Sequence, residues 1–460
     1  MDLESALAWA RRQDAQYEAE LNRLLAIPSV STLPEHRPDV ERAAQWVSQR
    51  LRAAGMEHAA VIASPGGGHP LVYADWLHAP QAPVVLCYGH YDVQPADPWD
   101  EWRTPPFAPA VREEKIYARG AADDKGPMLA QIQAAEACLR GSGTLPVNLK
   151  FLIEGEEEVG GETIEDYVRQ QAGRLACDAV LITDTTQFAA ALPTLTIGLR
   201  GMVYAELRLQ GADADLHSGL FGGVAPNPLE ALARIICGLK SAEGRIQIPG
   251  FYDQVRPPSA PERADWARLP FDPERYRAQE VRAPALTGEA DYGPLERLWA
   301  RPTLEVHGLP GGFTGVGGKT VIPARAAAKI SMRLVPDQTP QLIAAAFERQ
   351  VRVLTPPGIQ AEVEVLHTAE PLLVSPDNRF VRAAVAALGA LPGPAPVAVR
   401  SGGSIPIAPL FARELRAAVV MLGFATPDCG AHAPNEFLPQ ANFRQAREGV
   451  LRFFCAAGAA

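Results

Sequence analysis

The chain is short of what a disulfide scaffold, a membrane span or a nucleic-acid binder requires. Six cysteines, Cys87, Cys138, Cys177, Cys237, Cys429 and Cys455, are scattered over 460 residues with no C-x-x-C pair. They are too sparse for a disulfide framework and fit a reducing compartment. No apolar run reaches 18 residues, and the opening MDLESALAWARRQDAQYEAELNRLL carries charge through every turn, leaving no apolar stretch for a signal peptide. These absences lead to the expectation of a cytoplasmic protein. Positive charge is also scarce: 43 Lys and Arg against 53 Asp and Glu give a formal charge of −10. Neither nucleic acid nor a membrane surface is therefore expected as a partner. With 47% hydrophobic and 21% charged residues, the composition excludes a disordered or collagenous chain.

What is present is length enough for two or three domains. The 39 glycines and 42 prolines exceed the roughly 12% of an average chain, so many tight connections are expected, and function commonly sits on such loops. Leu3, Leu7, Ala10, Tyr17, Leu21 and Leu24 recur at near-helical spacing and predict an amphipathic helix ending before Pro28; a second helix is predicted over 40–54. Short apolar runs follow at 69–76 (HPLVYADW), 82–88 (APVVLCY), 147–154 (VNLKFLIE) and 179–183 (AVLIT), separated by helix-like stretches at 127–139 and 162–172. Several runs are continuous rather than alternating, as in strands buried on both faces, and the layout predicts an α/β domain with a mostly parallel sheet flanked by helices. From about residue 199 the pattern changes: 202–209 and 326–334 alternate as strands with one wet face, and 253–292 is charged and proline-punctuated. The sequence is read as a first domain at 1–199, an inserted α+β domain at 200–372, and the remainder of the first domain at 373–460.

The polar residues that carry chemistry fall at the ends of the predicted strands. Gly89-His90-Tyr91-Asp92 follows the second apolar run; a histidine with a carboxylate two residues on suits a metal ligand held in one tautomer, and alone suits an exposed strand-end histidine equally. Asp123 and Asp124 precede a predicted helix, where an aspartate often only caps, but two adjacent acids among glycines repel one another unless a cation neutralises them. Glu154, Glu156, Glu157 and Glu158 crowd one strand end. A solvated acidic loop is the plain alternative to a hydrolytic centre, in which one carboxylate binds metal and another stays free to take a proton from water. Asp184 closes another strand, and His432 lies in the returning segment. His90, Asp123, Glu158, Asp184 and His432 form a donor set suited to two Zn²⁺, Co²⁺ or Mn²⁺ ions. Cys429, in a C-x-x-H with His432, reads more simply as a small buried residue.

The motifs GHYDVQP, YARGAADDKG, EGEEEVGG, the strand-end Asp184 and GAHAPNE resemble, in order, those of the dinuclear metallopeptidases that include carnosinase-type dipeptidases, carboxypeptidase G and acetylornithine deacetylase. DLHSGLFGGVAPNPLEAL, GKTVIPARAAAKISMRLVP and RSGGSIP make the carnosinase-like dipeptidase branch the closest. The resemblance runs from about residue 27 to 454. It implies a phosphorylase/hydrolase-like catalytic domain with an inserted lid and dimerisation domain, and two divalent ions per subunit, zinc first. His90 and Asp184 would hold one ion, Glu158 and His432 the other, with Asp123 between them and a cis peptide to Asp124. It further implies Glu157 as general base, Asp92 orienting His90, and His217 reaching into the partner's site of a homodimer. Thr320, Arg333 and Ser404 would hold the substrate, a dipeptide or short peptide. One position departs: Ser401 stands where the branch usually has glutamate, so an N-acyl-amino-acid amidohydrolase is the alternative reading, and a non-catalytic metal-binding homologue a more distant one.

Overall fold

The computed structural model describes residues 1–459, which divide into two compact units. The first comprises Met1–Ile197, Val374–Val399 and the chain from Ile407 onward; the second is Gly198–Leu373 with Arg400–Pro406.

The sheet of the first unit contains β1 (Glu57–Ile62), β2 (Leu71–Trp76), β3 (Val84–His90), β4 (Asn148–Glu154), β5 (Ala179–Thr186), β6 (Thr194–Leu199) and β7 (Ala418–Ala425), in the order β1-β2-β4-β3-β5-β7-β6. The pairs β4–β3, β3–β5 and β5–β7 are parallel, whereas β1–β2, β2–β4 and β7–β6 are antiparallel. The centre is thus parallel and the margins are not, a distinction that apolar runs alone do not carry. Continuous apolar sequence marks the centre: Val85 to Tyr88, Phe151 to Ile153 and Ala179 to Ile182 have no exposed surface, each large apolar side chain contributing roughly 1.5–3 kcal/mol on burial.

The helix Lys125–Ser142 is buried along most of its length, from Lys125 to Cys138, and packs against Val84–His90 and against the terminal helices. The amphipathic opening is two helices, Leu3–Arg12 and Asp14–Leu25. The break is at Gln13, whose backbone (φ −95°, ψ 2°) leaves the helical range while its N–H donates to Ala10. No helix among the described residues is long and apolar enough to cross a membrane.

The second unit has a four-stranded antiparallel sheet, ordered Thr303–Gly308, Arg325–Leu334, Gly201–Gln210, Gln360–Ala369. One face carries a core of Val203, Leu207, Ile330, Met332 and the helix residues Leu232, Ile235 and Phe347. The charged stretch 253–292 contains the short helix Ala260–Trp266, begun by a Ser259/Glu262 capping box. Trp266 meets Trp299 edge-to-face at 5.2 Å. A helix this short shows no apolar period; the aromatic contact and the ion pairs Arg263–Glu296 and Arg400–Glu262 tie it to its surroundings.

Candidate metal centre

Parallel pairing brings the carboxyl ends of β3, β4, β5 and β7 to one edge, where open α/β sheets bind ligands. His90 is the last residue of β3, and Asp184 lies near the end of β5. Glu158 lies in a one-turn helix, Glu157–Val159, just beyond β4; Gly160 then closes that turn at φ 62°, a conformation glycine adopts freely. Asp123 precedes the buried helix Lys125–Ser142, and His432 is in the loop after β7. Strand and helix approach closely at Gly89, where a Cβ would lie 2.7 Å from both the Asp124 carboxylate and Met128.

These five side chains stand together. His90 Nε2 is 3.1 Å from Asp123 Oδ1 and 3.6 Å from Asp184 Oδ2. His432 Nε2 is 2.9 Å from Asp123 Oδ2 and 3.2 Å from Glu158 Oε2. His90, Asp123 and Asp184 therefore form one trio, and Asp123, Glu158 and His432 another, each with one ligand atom per residue within 4.8 Å of the others. Asp123 is common to both, one oxygen facing each. The Asp123–Asp124 peptide is cis.

The surrounding groups orient these donors. Fully buried Asp92 offers its main-chain oxygen to His90 Nδ1 at 3.1 Å and a carboxylate oxygen at 3.4 Å. Its other oxygen accepts the Ser31 hydroxyl (2.7 Å) and the Glu158 N–H (3.1 Å). Gln94 Nε2 donates to Glu158 Oε2 at 2.8 Å. Asp124 does not cap its helix by its side chain; Oδ2 accepts the His90 N–H at 3.2 Å. The four glutamates after β4 have separate partners. Glu154 accepts the Tyr88 hydroxyl at 2.7 Å and Glu156 accepts the His69 N–H at 2.6 Å, leaving Glu157 and Glu158 at the centre.

The electrostatics ask for cations. Burial raises the Asp184 carboxyl, and the neighbouring Asp123 charge raises it further. Burial likewise pushes Glu157 up to about 8. Burial opposes ionisation of Asp123 as well, but hydrogen bonds from His432 and His90 outweigh it and hold this carboxyl below the ordinary range. Bonds to Asp123 and Glu158 push His432 up to about 10, so its imidazolium supplies positive charge among the acids. Two imidazoles and three carboxylates fit borderline divalent ions, and neutral imidazole is the ligating form, so loading a cation expels protons.

The remaining candidates lie on the second unit in two pairs. His217 is exposed; its Nδ1 accepts the Gly219 N–H at 3.0 Å, which leaves the proton on Nε2. Thr320 adjoins it, its carbonyl accepting the Ser218 N–H at 3.1 Å. Arg333 Nη1 donates to Ser404 Oγ at 3.1 Å. Burial, with the charge of Arg333 beside it, lowers the Arg200 guanidinium to about 10. Ser401 Oγ accepts the Gly403 N–H at 3.0 Å, and Arg400 pairs with Glu262.

A family model described as Peptidase family M20/M25/M40 matches residues 86–455. The chain belongs to this family. It is 33% identical to the Cys-Gly metallodipeptidase of Schizosaccharomyces pombe over 99% of this chain and 97% of that protein. It is 31% identical to the Beta-Ala-His dipeptidase of Rattus norvegicus over 93% and 89%. Among solved structures, an M20 family metallo-carboxypeptidase from Sulfolobus solfataricus superposes with a TM-score of 0.85 at 30% identity, covering 96% of this chain and 99% of that one. These likenesses put the protein in the carnosinase-like dipeptidase branch of a family of peptide-bond hydrolases.

Sequence reasoning gave no role to Ser31, Gln94 or Glu436. The last two lie inside motifs that were singled out, yet nothing in their spacing tells what they hold. His58, which no sequence motif marks, joins Glu57 and Asp75 in a third, more exposed group with ligand atoms within 4.8 Å.

Proposed function

We propose that the protein hydrolyses dipeptides or other short peptides at a centre of two divalent cations, zinc foremost, with Glu157 as general base. The observation that carries this reading is the position of Asp123 between two trios of ligand-type side chains. His90 and Asp184 would hold one ion, Glu158 and His432 the other, and Asp123 both. Divalent cations held there would supply acidification of a water and polarisation of the scissile carbonyl. Glu157 takes the proton from the attacking water and returns it to the leaving amine; its carboxyl, raised to about 8, comes into the working range when positive charge is nearby. Asp92 keeps the His90 ring in place.

His217, with its proton on Nε2, donates to the carbonyl oxygen of substrate in the partner subunit of a homodimer. Leu220 and Val224, 76% and 88% exposed beside it, support an interface there. The planar fork of Arg333 receives the substrate carboxylate, with Ser404 and Thr320 supplying neighbouring hydrogen bonds. The names of the relatives, a Cys-Gly metallodipeptidase and a Beta-Ala-His dipeptidase, point to the same substrate class.

Zinc-loaded protein offered free dipeptides, N-acetyl and N-succinyl amino acids is expected to cleave the dipeptides. Turnover of capped substrates alone would replace this reading with the amidohydrolase one, which Ser401 favours by leaving no carboxylate for a free amine at that position. For the role in trans, mixing His217→Ala subunits with Glu157→Gln subunits is expected to restore part of the lost activity, because one site of each heterodimer has both groups. No recovery once subunit exchange has been demonstrated would overturn the role of His217 in trans.

A further inference from the structure

We propose that Glu436 is a positioning residue that fixes Asp123 between the two trios, so that the centre is shaped before any ion arrives. Glu436 follows His432 by four residues and is fully buried. Its Oε1 accepts the N–H groups of Ala122 (2.8 Å) and Asp123 (3.2 Å). Its Oε2 accepts Gly120 N–H (2.9 Å) and Arg119 Nη1 (2.8 Å). Its carbonyl accepts the Ala118 N–H at 3.2 Å. One carboxylate and one carbonyl thus hold five donors from a segment six residues long.

A concavity of neighbouring peptide N–H groups is an anion receptor; here those of Gly120, Ala122 and Asp123 are filled by the chain's own glutamate. Arg119, itself 1% exposed, balances a charge that would otherwise be costly to bury. The geometry has a direct result. The bond to Asp123 N–H aims that residue's side chain, while the Phe437 N–H to Cys429 carbonyl bond (2.8 Å) and the Ala433 N–H to Gly430 carbonyl bond (2.9 Å) close the loop bearing His432. Glu436 is the joint between the two loops, and the approach of Asp123 to His432 is set by protein hydrogen bonds.

The inference rests on the reading that Asp123 and His432 hold cations, and its test separates the two. Zinc affinity is measured on metal-stripped protein by competition with a chromophoric chelator, alongside the visible spectrum of the cobalt form. In Glu436→Gln an amide replaces one oxygen, and two of the four donors lose their acceptor. The expected result is zinc affinity weakened by about 10–100-fold, the scale found when groups orienting ligands are removed, with an altered cobalt spectrum. Arg119→Gln leaves the peptide N–H bonds to Glu436 intact and is expected to lower the melting temperature while changing zinc affinity little. Unaltered zinc binding in Glu436→Gln, or equal weakening in Arg119→Gln, overturns the proposal. Should Glu436→Gln fail to fold, amide exchange in the unsubstituted protein decides: slow exchange at Gly120, Ala122 and Asp123 without metal is expected, and fast exchange there overturns it. An unsubstituted protein that binds no zinc overturns this proposal and the functional reading together, and the control reveals it.

Discussion

Glu157→Gln is expected to yield a folded protein that keeps its metal and loses about 10²–10⁴-fold in turnover, the usual worth of a positioned general base. The substitution preserves the shape of the side chain and removes only its capacity to take up a proton. Glu157 belongs to neither trio, since its neighbour Glu158 faces His432, so metal content measured by elemental analysis should match that of the unsubstituted protein. The raised carboxyl also sets the sign of the pH dependence. Burial, with the neighbouring carboxylate charges of Asp184, Glu158 and Asp123, pushes it to about 8; bound cations would draw it down, and activity is expected to fall on the acid side as the base becomes protonated. Unchanged turnover would remove Glu157 from the base role, and loss of metal along with turnover would make it a ligand.

The second large effect is expected at Asp123. Asp123→Ala removes a donor from both trios at once, along with the charge shared by His90 and His432, so metal content should fall from two ions per subunit to nearly none and hydrolysis to background. His432→Ala is the contrast: it disrupts only the trio containing Glu158 and leaves His90, Asp123 and Asp184 able to retain one ion. Elemental analysis after dialysis against metal-free buffer reads both. Retention of one tightly held ion in Asp123→Ala would show that the two trios do not depend on this side chain in common.

Three of the candidate ligands were legible because they stand in short polar motifs directly after continuous apolar strands, and parallel strands carry such ends to one edge. His90, Glu158 and Asp184 follow that rule. His432 required the further step of returning the C-terminal segment to the first unit. What was not legible depends on partners far away in sequence. Four glutamates in a row look alike until the fold gives Glu154 the Tyr88 hydroxyl and Glu156 the His69 N–H. Asp124 has the sequence of a cap and the contacts of a strand brace. The antiparallel margins of the sheet are similarly hidden, because apolar sequence reports burial and not direction.

The position of β7 also sets an order of manufacture. This strand pairs with β5 on one side and β6 on the other, yet it is translated only after residues 200–417, a delay on the order of ten to forty seconds at about 5–20 residues per second. Until then β5 and β6 lack the neighbour that joins them, and each carries an open row of peptide groups of the kind that invites mispairing. A nascent chain at that stage already contains His90, Asp123, Glu158 and Asp184 but has no His432. A chain that ends before His432 lacks one residue of the second trio, so on the proposed two-ion reading peptide hydrolysis would wait until the segment after β7 has been made.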